Sequence, residues 1–92
     1  MKVVYLKPAL RDLEVIKNYI ARDDADAARR VVAQIDYSAK RLINFPYSGR
    51  PGPRGTRLLS VPGLPYVVIH RVQDETVKIV AIFHTSRNRR FR

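Results

Sequence analysis

The sequence predicts an α+β fold from three features. A short β-branched stretch opens the chain, two adjacent segments carry helical apolar spacing, and three strand-like segments follow a loop rich in glycine and proline. The predicted order is an N-terminal strand, an antiparallel helical hairpin and then a three-stranded antiparallel meander. Ninety-two residues suffice for one core, because chains of this size bury somewhat over ~60% of the surface they expose when unfolded. Residues 1–92 are therefore read as a single domain.

Residues 3–6, "VVYL", are short, β-branched and stopped by Pro8, which suits a strand. Pro8 then fits the first turn of a helix, where its missing N–H is not needed. In "PALRDLEVIKNYIARDD" the apolar residues Leu10, Leu13, Ile16 and Ile20 recur at helical spacing, predicting a helix over about 8–22 with Asp12 and Glu14 near its positive end. Asp24 and Asp26 are suitable N-caps for a second helix, along which Ala28, Val31, Val32, Ile35, Ala39, Leu42 and Ile43 keep one apolar stripe. The short "RDDAD" connection makes the two antiparallel neighbours. Three prolines and three glycines in "FPYSGRPGPRGT" exclude a regular element and predict a rigid connecting loop. "TRLLSV", "YVVIHRV" and "VKIVAIFH" follow as strands, joined by "PGLP" and "QDET", lengths that suit hairpins.

Strict alternation then assigns faces. With Arg71 and Lys78 toward solvent, Val67, Ile69, Val80, Ile82 and His84 share the open face. Tyr66, Val68, Val72, Val77, Ile79, Ala81 and Phe83 pack on the helices. The open face is expected to be apolar in its middle and basic at its rim, a combination that marks a binding surface.

Eighteen Lys and Arg against eight Asp and Glu give a net charge of +10. It is unevenly spread, with nine basic and six acidic residues up to Pro46 but nine basic and two acidic after it, and no acid after Glu75. Such a field favours phosphate backbones, anionic lipid or an acidic protein partner. The absence of cysteine excludes disulfides and thiolate chemistry, and two histidines alone make a metal centre improbable, so no cofactor or metal is expected. No segment reads as a signal peptide or a membrane span, and a cytoplasmic location is expected. His70, alternating with Val68 and Val72, reads as a packed or edge residue, and His84 as a strand-end imidazole. Tyr19, Tyr37, Tyr47 and Tyr66 read as core by default. Arg50, Arg54 and Arg57 are expected to extend the basic rim.

The order of elements, with "PALRDLEVIKNYI", "FPYSGRP", "GTRLLSV", "YVVIHRV" and "IVAIFHTSR", resembles the RelE/ParE superfamily of toxins from type II toxin–antitoxin modules over nearly the whole chain. RelE-like members cut mRNA on the ribosome, whereas ParE-like members poison DNA gyrase. RNA cleavage needs a base, cations and an acid around one phosphodiester. Val67 stands where RelE-like chains carry arginine, and Phe91 where they carry a tyrosine, so the resemblance favours the ParE-like branch and a non-enzymatic toxin. It implies target-binding residues Arg57, Arg71, His84, Arg87, Arg89 and Arg90. For the alternative, an endoribonuclease, it implies catalytic Arg57, His84 and Arg87. A second alternative is a non-toxic basic module that binds nucleic acid. Either toxin reading implies a hetero-oligomer with a ParD-like or RelB-like antitoxin, whose acidic segment would meet Leu13, Ile16, Ile20, Arg54, Arg57 and Lys78.

Overall fold

The computed structural model describes residues 1–86. Strand β1 (Lys2–Tyr5) leads into helices α1 (Lys7–Ala21) and α2 (Ala25–Lys40), and a 3-10 turn, Arg41–Ile43, ends the hairpin. A two-residue strand β2 (Arg50–Pro51) follows, then a turn at Pro53–Gly55 and strands β3 (Arg57–Ser60), β4 (Tyr66–Gln73) and β5 (Thr76–His84). The expected meander is β3–β4–β5. It is enlarged to five strands in the order β1-β5-β4-β3-β2, with β1 parallel to β5 and the other pairs antiparallel.

No side chain caps α1. Its approach is fixed by the sheet, since Leu6 N–H donates to the Ile79 carbonyl at 2.9 Å, and Pro8 removes one donor from the first turn. At α2, Asp24 accepts the Ala27 N–H at 3.0 Å as an N-cap. The hairpin packs on one face of the sheet, where Ile35, Leu42, Val68, Val77 and Ile79 are completely or almost completely buried. Each contributes about 1.5–3 kcal/mol of transfer free energy.

Asp36 ties α2 to β1, accepting from Tyr5 Oη at 2.7 Å and from Lys40 Nζ at 2.8 Å. Burial alone would raise the Asp36 carboxyl, but hydrogen bonds from Lys40 and Tyr5, with the Lys40 charge, hold it below the usual carboxylate range. Burial and the adjacent carboxylate push the Tyr5 hydroxyl far above its ordinary range.

One expectation about the sheet is reversed. The β4–β5 register runs Tyr66↔His84 to Ile69↔Ala81 and then His70↔Ile79 to Gln73↔Thr76, which leaves Val80 unpaired in a β-bulge. The extra residue inverts the phase of everything after it. Ala81 and Phe83, expected against the helices, join Val67 and Ile69 on the opposite face. Ile82, expected on the open face, enters the core beneath the hairpin. His84, also expected there, turns to the helix side, where it lines a cleft with Ile16 and Tyr66. The bulge sits where β1 ends. Beyond it, α1 takes over the free edge of β5, and the Asp12 carboxylate accepts the Ile82 N–H at 2.9 Å. Asp12 thus completes the sheet edge and does not serve the helix dipole, for which it was read.

Candidate functional surfaces

The face away from the helices gathers cations from five elements. Arg71 and Lys78 lie directly opposite each other on β4 and β5, and like charges in that position repel. Neutral acceptors hold them: Arg71 Nη2 donates to the Arg54 carbonyl at 3.3 Å and Lys78 Nζ to Gln73 Oε1 at 3.0 Å. Arg54 shares a groove of about 610 Å³ with Arg11 of α1, over a floor that includes Ala81 and Phe83. Arg50 pairs with Leu58 and so points to the same side. The apolar middle is not the exposed patch that was expected, since Val67, Ile69, Ala81 and Phe83 are all buried. What this face offers is the basic rim.

The charges are distributed unequally. Among the described residues the ion pairs are Glu14–Lys17 at 3.4 Å, Asp26–Arg29 and Asp36–Lys40 at 2.8 Å, all within the helices. No described carboxylate pairs with Arg54, Arg71 or Lys78.

The residues named from sequence do not converge. Arg57, expected on the basic rim, lies opposite His70 and donates through Nη2 to the Gly49 carbonyl at 3.0 Å. His84 meets Tyr66 edge-on, with ring centroids 5.3 Å apart, and its Nδ1 accepts the Ser86 N–H at 3.1 Å. Arg57 and His84 therefore align with β4 positions four residues apart, roughly 13 Å along the strand at its usual rise. They do not assemble a catalytic pair. Arg87, Arg89 and Arg90 lie outside the described residues. Leu13 and Ile20 pack against the core, and Ile16 reaches solvent only as part of a cleft of about 260 Å³ beside His84. As the apolar stripe of an amphipathic helix they face their own sheet.

A second surface escaped the sequence reading. Tyr66 is buried as expected, but Tyr19, Tyr37 and Tyr47 are 52%, 63% and 65% exposed. Tyr37 and Phe45 line a hollow of about 100 Å³ between α2 and β3, and a second hollow of about 370 Å³ continues it along α2, sharing Gln34 and Pro62. Arg41 and Arg30 stand in this groove, the former 5.7 Å above the Phe45 ring, and no acidic residue lines it. The signal in the sequence was the interleaving of arginines with aromatics over residues 30–47. Reading every tyrosine as core concealed it.

The model of the family described as "ParE toxin of type II toxin-antitoxin system, parDE" matches residues 3–89. The chain is 43% identical over 77 residues to the Y4kP protein of Sinorhizobium fredii, covering 83% of this chain and 79% of that one. It is 37% identical over 87 residues to toxin RelE2 of Caulobacter vibrioides, covering 94% and 97%. Among solved structures, a chain of the chromosomal ParDE TA system from P. aeruginosa superposes with a TM-score of 0.83 at 24% identity, covering 94% of this chain and 97% of that one. That likeness establishes the fold.

Proposed function

The chain belongs to the ParE toxin family of type II toxin–antitoxin systems, and from that premise we propose that it inhibits DNA gyrase through its basic sheet face and is neutralised by a ParD-like antitoxin. The observation that carries this reading is the facing pair Arg71 and Lys78, held among the described residues by neutral acceptors and joined by Arg11, Arg50 and Arg54. Repelling cations kept at one rim gain stability when an anionic or nucleic-acid-bound target meets them. The surface steers and holds a partner.

The antitoxin contributes an acidic, amphipathic segment that folds as it binds, laying apolar side chains on Tyr37 and Phe45 and carboxylates toward Arg30 and Arg41. Its support is charge complementarity, since the groove is apolar, cationic and without a carboxylate.

Purified toxin is expected to block supercoiling by gyrase, and the antitoxin to restore it. Supercoiling untouched at large toxin excess removes the gyrase reading. Codon-specific cleavage in a translating extract would replace it with ribosome-dependent RNA cleavage.

A further inference from the structure

Two polar atoms in the described structure are buried without a protein partner: Nε of Arg57 and Nδ1 of His70. They belong to residues directly opposite each other on β3 and β4, whose side chains share one face. Both side chains reach the same loop. His70 Nε2 lies 3.1 Å from the Pro46 carbonyl, and Arg57 Nη2 donates to the Gly49 carbonyl at 3.0 Å. A carbonyl only accepts, so Nε2 carries the ring proton and Nδ1 presents a lone pair. Arg57 Nε–H is a donor. The two orphan atoms are complementary, and buried polar groups of this kind are satisfied by ordered water.

We propose that Arg57 and His70 form a proton-sensitive latch on the Pro46–Gly49 loop, closed by one buried water between Arg57 Nε and His70 Nδ1. The water accepts from Nε–H and donates to Nδ1. A proton on Nδ1 turns that acceptor into a donor and sets a second positive charge beside the guanidinium. Relieving that buried charge beside Arg57 requires the ring to reach solvent, which breaks the water bridge and frees the loop from its anchors.

The surroundings favour the neutral ring. Burial, with His70 0% exposed, pulls it below the ordinary histidine range, and the Arg57 charge adds to this. The Pro46 and Val68 carbonyls pull the other way and are outweighed. The charged group acting on the ring is Arg57; the β5 residue opposite it is the apolar Ile79, and the loop supplies the Pro46 carbonyl. Because the folded-state value is depressed, the latch is fully closed above about pH 6.5 and opens as pH falls below it.

The loop carries Ser48, which with Phe45 lines the α2 groove, so an open latch reshapes that groove. This consequence rests on the antitoxin reading above; the latch itself does not.

The test uses the free full-length protein. Nitrogen-15 NMR at pH 7.5 is expected to show the His70 ring protonated at Nε2 only. Hydrogen-exchange protection of the Ser48 amide, which donates to the Phe45 carbonyl, is expected to fall roughly tenfold between pH 7.5 and pH 5, after correction for intrinsic rates, as one buried hydrogen bond is lost. Protection in the β1–β5 ladder is expected to hold. In His70→Gln the loop's protection is expected to be independent of pH over the same range. A ring protonated at Nδ1, a wild-type loop indifferent to pH, or an equal loss in His70→Gln would each overturn the latch. The first two are read on the wild-type chain and need no variant to fold.

Discussion

The helical hairpin and the sheet solve their charge problem in opposite ways. On the helices, acids meet bases three or four residues away, as in Glu14–Lys17 and Asp36–Lys40. Such pairs are local and contribute about 0.2–0.5 kcal/mol each. On the sheet, cations face one another across strands and no described carboxylate answers them. Three of the hairpin's cations are answered within their own helix, whereas Arg54, Arg71 and Lys78 at the sheet rim have no described carboxylate in an ion pair with them. The same contrast holds for backbone geometry, because the helices are set by local spacing and the sheet depends on distant residues.

The sharpest way to separate the two regions is Gly49→Ala. Gly49 has φ +91°, and a Cβ there would lie 2.4 Å from the Leu58 backbone oxygen. Left-handed strain and overpacking together are expected to cost about 2–4 kcal/mol in urea unfolding. A loss below 1 kcal/mol would mean that the loop does not hold β3 in place.

Next is Asp12→Ala, which deprives the Ile82 N–H of its acceptor and is expected to cost about 1–3 kcal/mol. Asp12→Asn keeps a carbonyl oxygen and is expected to recover most of that stability. If both variants match the wild type, α1 does not complete the sheet edge.

A smaller effect comes from pH on the hairpin side. The Asp36 carboxyl is held below its unfolded value, so the stability it contributes is present above about pH 4 and is lost as pH falls through the folded-state value. Acid unfolding of Asp36→Asn is expected to lack this component. An unchanged acid limb would remove the Tyr5–Asp36–Lys40 tie from the account.

This division also explains what the sequence revealed. Both helices were legible, down to the Asp24 cap, because a 3.6-residue period needs no knowledge of the partner. His70, read as a packed or edge residue, is packed. The phase of β5 after Ile79 was not legible, since the bulge at Val80 arises where α1 replaces β1 at the sheet edge, a tertiary event. That single shift moved His84 to the face opposite Arg71 and Lys78. β2 is two residues long inside a proline-rich stretch, too short for any pattern. Arg54 and Arg57 are three residues apart and look equivalent in sequence, yet one lines the basic groove and the other is spent on the Gly49 carbonyl.

The most direct test of the central claim compares charge reversal on the two regions in a gyrase supercoiling assay. Arg71→Glu with Lys78→Glu is expected to abolish inhibition while leaving stability near that of the wild type, because one facing like-charge pair is exchanged for another. Lys17→Glu with Arg29→Glu, the same change in net charge on the hairpin, is expected to leave inhibition intact. Equal loss from both pairs, or full inhibition by the sheet variant, would contradict the assignment of the sheet rim as the surface that engages the target.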